Sequence, residues 1–278
     1  MSALRAAREL GYVLCISSGR PLCLISRKIL DMGVMDYAVT ANGAAVVRLL
    51  DGQVVSSHPM SQDAAIDCYE LLRPLDAAWN AFFGGQAYFE WRGASYMLTG
   101  RTGARARALR QGTARGPLGV VAHVSRRGVR FLWRLVSNPR HHQVRSLRPH
   151  LNRATHGVEK LGCTILDAGA CERAVRLLAE DGRYEVVRMG PSELEITARG
   201  VTKGSGAREL MRSLGVAPDE ATAFGDGGND LPIARTVGRF VAMGNADPDV
   251  KAAATEVCPP VTEDGVAVWI EEHLLRSV

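Results

Sequence analysis

The 278-residue sequence predicts an α/β fold in which a parallel sheet is interrupted by a long insertion. Short apolar runs alternate with amphipathic helical patterns near both ends of the chain, and this order is typical of a parallel sheet. From about residue 56 to residue 191 the alternation stops, and shorter strand-like pieces replace it. We therefore predict a discontinuous Rossmann-like domain, residues 1–55 and 192–278, with an inserted α+β domain at residues 56–191.

The first segment of the discontinuous domain alternates between predicted helices and strands. These are a helix over residues 1–10, a strand over 12–17, a helix over 21–31, a strand over 37–40 and a hairpin over 46–55. Pro21 suits the first turn of its helix, because the N–H that proline lacks would be unbonded there in any residue. The Asp51-Gly52 pair between two valine pairs predicts the tight turn of the hairpin.

The second segment resumes the alternation after the insertion. It contains a strand over residues 194–197, a helix over 204–214, a strand over 221–224, a helix over 231–236, a strand over 240–243, a helix over 248–254 and a closing helix over 265–275. In an open α/β sheet, ligands bind beyond the carboxyl ends of the strands. Polar residues that directly follow these strands are therefore the first candidates for a site.

The composition is typical of a soluble globular protein, with 46% hydrophobic and 23% charged residues. No apolar run is long enough to cross a bilayer, and the apolar stretch at residues 12–16 is too short for the core of a signal peptide. The six cysteines are scattered without a Cys-x-x-Cys pair, which favours buried thiols in a reducing compartment. We therefore expect a cytoplasmic protein that has no membrane partner.

Positive charge is concentrated between Arg101 and Arg153, where 13 arginines occur without a single Asp or Glu. Nucleic-acid binding is one explanation. Coding bias is another, since the whole chain contains only four lysines. A basic surface that faces a phosphorylated small molecule is a third. The arginines are interleaved with Gly, Leu and Val rather than with aromatic residues that stack on bases, so nucleic acid is the least favoured partner.

The most informative stretch is Phe224-Gly225-Asp226-Gly227-Gly228-Asn229-Asp230, at the end of a predicted strand. Two carboxylates and an amide among glycines could bind a hard cation such as Mg²⁺, while the glycines let the backbone approach a ligand. The same residue types are also what ordinary turns contain. The stretch alone does not decide between these two interpretations.

Two further segments lie at a strand end or at a helix start, and together with the Asp226–Asp230 loop they favour phosphate chemistry. Ser18-Gly19-Arg20 follows one strand, and Lys203 opens the helix after residues 200–202. The hydroxyl and an adjoining backbone N–H can donate to phosphate oxygens, a lysine can neutralise their charge, and a metal can withdraw more of it. The coincidence of three such segments, rather than any one residue, carries this prediction.

These residues resemble the haloacid dehalogenase superfamily of phosphohydrolases, specifically its Cof-type branch, in which a large cap is inserted into the core. The matching stretches are Ser17–Pro21, Thr40–Ala44, Leu194–Thr197 with Val201–Gly204, Phe224–Pro232, Ala242–Asp247 with Val250-Lys251, and Glu263–Ala267. They cover both segments of the predicted core in the family's order. The inserted region resembles the family only in its placement and size.

The resemblance implies a phosphate site built from five residues. Ser18 would hold the phosphoryl group, and Gly19 would add a backbone donor. Lys203 would pair with the phosphate and stabilise the nucleophile, and Asn229 would contact the phosphate. Asn42 would reach the substrate.

For the metal, the resemblance implies that Asp226 is a ligand of Mg²⁺. Asp230 would support either the water shell of the metal or the lysine. With Ser18 and Lys203, Asp230 completes the catalytic residues that the resemblance implies.

The sequence departs from the family at its start. Family members begin with a strand that ends in Asp-x-Asp-Gly-Thr, whose first Asp attacks phosphorus and whose second is the general acid–base. The sole Asp-x-Asp here, Asp247-Pro248-Asp249, matches a later loop of the family. We therefore expect the first core strand and the nucleophile to be missing, either through a start site placed too late or through shortening. Little or no turnover is expected from the chain as it stands.

The sequence thus predicts a Mg²⁺-dependent phosphatase of small phosphorylated metabolites, such as sugar phosphates or similar phosphomonoesters, that acts through an aspartyl-phosphate. The alternative is a non-catalytic phosphometabolite-binding or regulatory protein derived from such an enzyme. Substrate specificity is expected between about Gln86 and Arg188. Some arginines of the 101–153 tract are expected to favour substrates with a second anionic group.

Overall fold

The computed structural model describes residues 2–92 and 139–275. The chain divides into two compact units. The core unit combines Met1–His58 with Gly200–Val278, and the inserted unit is Pro59–Arg199. Among the described residues, no helix has both the length and the apolar character needed to span a membrane. Most of the arginine-rich tract lies outside the described residues.

The first segment of the core unit forms a four-stranded sheet preceded by a helix. Its elements are helix α1 (Ser2–Glu9), strand β1 (Cys15–Ser17), helix α2 (Arg27–Leu30), and strands β2 (Tyr37–Thr40), β3 (Ala45–Arg48) and β4 (Val54–Ser57). The strand order is β1-β2-β3-β4, with β1 and β2 parallel and the remaining pairs antiparallel. The predicted hairpin is present. The predicted single helix over 21–31 is wrong, because Ile25 is extended and Ser26 is not helical, and these two residues separate a short 3₁₀ turn from α2.

The inserted unit is an α+β unit built on a six-stranded sheet. Its elements are helix α3 (Gln62–Leu72), strands β5 (Ala78–Phe83), β6 (Gln86–Glu90) and β7 (His141–Val144), helix α4 (Arg148–Leu151), strand β8 (Lys160–Thr164), helix α5 (Ala168–Asp181), and strands β9 (Tyr184–Arg188) and β10 (Glu193–Ala198). The strand order is β7-β6-β5-β8-β10-β9. Its apolar core includes Trp79, Leu161 and Leu178.

The position of strand β10 corrects the predicted domain boundary. The sequence placed residues 194–197 in the core, after a boundary at 191/192. In the structure β10 pairs antiparallel with β8 and with β9, and its Leu194 and Ile196 are buried in the apolar core of the inserted unit. The second boundary therefore lies between Arg199 and Gly200, and the first between His58 and Pro59. An apolar strand pattern does not reveal which of two sheets the strand joins.

Helix α5 offers a test of local stability in the inserted unit. Asp167 is its N-cap, and the Oδ1 atom accepts a hydrogen bond from the backbone N–H of Ala170 at 2.6 Å. We expect Asp167→Ala to lower the free energy of unfolding by about 1 kcal/mol, because one N–H at the helix start loses its partner. Urea denaturation of the variant and of the unchanged protein measures the difference. Asp167→Asn, which keeps an acceptor oxygen, should recover most of it.

The second segment completes the core unit with a parallel sheet flanked by helices. Its elements are helix α6 (Lys203–Leu214), strand β11 (Thr222–Gly225), helix α7 (Leu231–Ala234), strand β12 (Arg239–Met243), helix α8 (Pro248–Ala252), strand β13 (Glu256–Cys258) and helix α9 (Gly265–Ile270), which a single π turn extends over Glu271–Leu275. The strand order is β11-β12-β13, and both pairs are parallel.

Apolar packing joins the two segments of the core unit. Ala3 and Ala7 of α1 are buried in one cluster with Phe240 of β12 and with Trp269 and Ile270 of α9. Helix α6 packs against strands β2, β3 and β4 and also against α7. Because α6 touches elements from both segments, its first residues lie where the loops after β2 and β11 meet.

Candidate functional site

Lys203 is the first residue of helix α6, and it is 6% exposed. Thr202 caps the helix, and Thr202 and Ser205 exchange hydrogen bonds between their side chains and backbone N–H groups. The Nζ atom of Lys203 donates to Oδ1 of Asp230 at 2.6 Å. A cation at a helix N-terminus opposes the helix dipole, and a buried cation is costly unless it is paired. Asp230 therefore holds the ammonium group in place.

Asp230 also shapes the loop that follows strand β11. Its second carboxylate oxygen, Oδ2, accepts the backbone N–H groups of Asp226 and Gly227 at 3.0 and 3.2 Å. Gly225 has no room for a side chain, since a Cβ atom there would lie 2.6 Å from the Cβ of Asp230. The carboxylate of Asp230 thus binds both Lys203 and the backbone of the loop.

Asp226 is an exposed residue of the same loop, and the protein partly covers its carboxylate. Its one long side-chain contact comes from Nδ2 of Asn245 at 3.5 Å. Desolvation by the surrounding protein raises the pKa of Asp226, and the carboxylates of Asp230 and Asp247 raise it further, while Lys203 lowers it. A cation beside this carboxylate would relieve the unfavourable charge. The described residues contain no group of three or more His, Cys, Asp or Glu side chains that could hold a metal.

Ser18 lies directly after strand β1, and three hydrogen bonds fix its position. Its backbone N–H donates to Val39 O at 2.8 Å, and its backbone oxygen accepts from Asn42 N at 3.2 Å. Its Oγ atom accepts the backbone N–H of Arg20 at 3.1 Å, which closes a tight turn around Gly19. The turn leaves the hydroxyl proton of Ser18 available as a donor.

Asn42 and Asn229 connect the two segments of the core unit. The Nδ2 atom of Asn229 donates to Oδ1 of Asn42 at 3.2 Å, across 187 positions of sequence. Both side chains are buried. Asn229 precedes Asp230, and Asn42 is bonded through its backbone to Ser18. A continuous series of contacts therefore runs from Ser18 through the two asparagines to Lys203.

The structure thus brings together the residues that the sequence singled out, all within the core unit. The sequence gave no role to Asn245, although it lies in the quoted stretch Ala242–Asp247. Besides its contact with Asp226, its Oδ1 atom accepts the backbone N–H of Val261 at 2.9 Å. Its amide type and its position after strand β12 were the signals available for finding it.

The family comparison decides the class of this protein. The family model described as haloacid dehalogenase-like hydrolase matches residues 1–270. The chain belongs to the haloacid dehalogenase-like hydrolases. The membership that the sequence predicted is confirmed, and so is the predicted fold of a Rossmann-like core with an inserted cap. In this fold the core unit is the Rossmann-like domain and the inserted unit is the cap.

Individual relatives agree with this assignment. The Bacillus subtilis protein YxeH is 24% identical over 281 residues, which cover 99% of this chain and 90% of YxeH. A Haemophilus influenzae relative is 42% identical over 87 residues, which cover 31% of this chain and 33% of that protein. The structure of the HAD subclass IIB sugar phosphatase BT4131 superposes with a TM-score of 0.71 at 22% identity, covering 98% of this chain and 89% of that one.

Proposed function

We propose that this hydrolase is a Mg²⁺-dependent phosphatase of small phosphorylated metabolites, such as sugar phosphates or similar phosphomonoesters. The observation that carries the proposal is the buried Lys203–Asp230 pair at the start of α6, joined through Asn229 and Asn42 to the Ser18 turn. A buried ammonium group next to hydroxyl and amide donors is suited to a phosphate dianion. The resemblance to a sugar phosphatase supports the substrate class.

The proposed phosphate contacts are hydrogen-bond donors. The Ser18 hydroxyl would donate to a phosphoryl oxygen, and the resemblance to the family adds the backbone N–H of Gly19. The ammonium group of Lys203 has three N–H donors, and one of them binds Asp230. The amide of Asn229 has two, and one of them binds Asn42. The remaining donors are those that would hold and orient the phosphoryl group.

Asp226 is the residue proposed to hold Mg²⁺. This ion is usually bound by one or two carboxylates, with substrate oxygens and water as its other ligands, so a single carboxylate beside a phosphate site fits it. When bound, the metal would withdraw charge from the phosphoryl oxygens. The role of Asp230 is to hold the loop that carries Asp226, through its bonds to Asp226 N and Gly227 N.

The nucleophile is not assigned to a described residue. Asp247 is the N-cap of the short helix α8, and Asp249 lies in its first turn, and both are exposed. Their position agrees with the later loop of the family rather than with its first strand. The aspartyl-phosphate, the cytoplasmic location, and the low turnover of this chain remain predictions. The preference for a second anionic group also remains one, since most of the arginines concerned lie outside the described residues.

Binding and hydrolysis, measured separately, test the proposed function. Calorimetry with inorganic phosphate and Mg²⁺ measures the site, and phosphate release from a panel of sugar phosphates measures turnover. Both are run on the 278-residue chain and on a version that is extended through any upstream in-frame codons encoding Asp-x-Asp-Gly-Thr. Mg²⁺-dependent release by the extended version, and its loss in Lys203→Ala, would support the phosphatase.

The other outcomes of this experiment are equally informative. Phosphate binding without hydrolysis in every version would favour the non-catalytic, phosphometabolite-binding alternative. No binding of phosphate at millimolar concentration would overturn the phosphate site itself. RNA binding is tested beside it at low salt, where electrostatic binding is strongest.

Replacement of Asp226 tests the metal site. We expect Asp226→Asn to weaken Mg²⁺ binding about tenfold or more, because the proposed ligand loses its charge. The measurement is the rise in melting temperature that MgCl₂ produces, titrated for both proteins. Asp219→Asn is the matched control, since Asp219 is exposed in the same unit and lies before strand β11. An unchanged Mg²⁺ titration in Asp226→Asn would contradict the assignment.

A further inference from the structure

The turn between strands β2 and β3 has a strained backbone. Ala41, Asn42 and Gly43 have φ values of 48°, 57° and 99° in succession. Left-handed conformations cost residues with a side chain about 1–2 kcal/mol each. Such strain persists only where surrounding contacts impose it, and it is concentrated at functional sites. The contacts around this turn are therefore what keeps it in the strained conformation.

Backbone contacts fix the turn on both sides. Ala41 N donates to Arg20 O at 2.9 Å, and Asn42 N donates to Ser18 O at 3.2 Å, so the turn is bonded to the loop after β1. Gly43 lies against the start of α6, where a Cβ atom would be 2.0 Å from Thr202 O. The turn thus contacts the segment that carries Ser18 and the residue that precedes Lys203.

The side chain of Asn42 faces the third segment of the site. It is 1% exposed, and its Oδ1 atom accepts from Nδ2 of Asn229. A carbonyl oxygen in this position fixes the plane of the Asn229 amide, because the accepted hydrogen bond is directional. The second N–H of that amide then has a defined direction.

We infer that Asn42 is a positioning residue, which orients the Asn229 amide and holds the Ser18, Lys203 and Asn229 segments in one arrangement. Its effect on phosphate is exerted through Asn229 and not through direct contact. This inference rests on the proposed function for its phosphate readout, and its structural part stands on the contacts alone. The strained turn places the Asn42 side chain where it meets Asn229.

A double-mutant cycle separates positioning from direct contact. Asn42→Gly removes the side chain and keeps a residue that adopts positive φ without strain. We expect Asn42→Gly and Asn229→Ala each to weaken inorganic phosphate binding about tenfold, the range of one hydrogen bond to a charged group. Combined, the two substitutions should weaken binding no more than Asn229→Ala alone. Asp264→Gly is the control, since Asp264 has a φ of 53° and an exposed side chain.

The side-chain amide of Asn229, observed by NMR in the full chain, gives a readout that needs no ligand. We expect its NH₂ resonances to shift and to exchange faster with water in Asn42→Gly, and to stay unchanged in Asp264→Gly. Multiplied losses of phosphate affinity in the double variant, or an Asn229 amide that does not respond, would overturn the inference. If the unchanged protein binds no phosphate while the amide does respond, the proposed function fails and the positioning contact stands.

Discussion

Lys203→Ala should abolish phosphate binding and lower any phosphate-ester hydrolysis by about a hundredfold or more, because the principal positive charge of the site is removed. It should also lower the free energy of unfolding by about 3 kcal/mol, since Asp230 becomes a buried carboxylate without its partner. Calorimetry with inorganic phosphate and urea denaturation measure the two effects. Lys28→Ala, at an exposed lysine of the same unit, should change neither quantity.

A paired substitution separates the two consequences of losing Lys203. Lys203→Met with Asp230→Asn removes both charges, and the amide oxygen of Asn can still accept the N–H groups of Asp226 and Gly227. We expect this variant to regain much of the stability that Lys203→Ala loses, while phosphate binding stays absent. Recovery of phosphate binding by the uncharged pair would show that Lys203 has only a structural role.

Gly43→Ala should destabilise the core unit by about 3 kcal/mol or more, through two additive causes. The added Cβ atom would lie 2.0 Å from Thr202 O, which is backbone and cannot move without shifting helix α6. The residue would also have to keep a φ of 99°, which alanine adopts only with strain. Urea denaturation followed by circular dichroism measures the loss.

Gly52→Ala is the matched control for this prediction. Gly52 also has a positive φ, 73°, but nothing lies within 4 Å of the Cβ atom that alanine would add. It should therefore cost only the backbone strain, about 1–2 kcal/mol. Equal losses at the two positions would show that close packing of the turn against α6 contributes nothing to stability.

The sequence was sufficient to predict most elements of the core and to single out residues that the structure places together. Loops that follow the strands of a parallel sheet lie at the carboxyl edge of that sheet. Lys203, Asp226, Asn229 and Asp230 could therefore be assigned to this edge. Apolar periodicity likewise located strands β2, β11 and β12 to within one or two residues.

The features that the sequence did not predict depend on tertiary contacts. Strand β10 has the pattern of a core strand, but cross-strand pairing with β8 places it in the inserted unit. The hydrogen bond between the side chains of Asn42 and Asn229 was not predicted either. Neither a partner strand nor a partner 187 positions away leaves a local signal, because both are fixed by packing of the whole unit.

The split of the core unit into two chain segments has a consequence for folding during synthesis. The inserted unit is one continuous stretch, so it can fold as soon as Arg199 has left the ribosome. Helix α1, in contrast, is made before the inserted unit, yet its Ala3 and Ala7 pack against Phe240 and Trp269, which are made after that unit. The segment with Ser18 and Asn42 therefore cannot complete its packing, and its apolar surface stays exposed, until β12 and α9 have been synthesised. Nascent chains halted before Phe240 would carry a folded cap and an unassembled phosphate site.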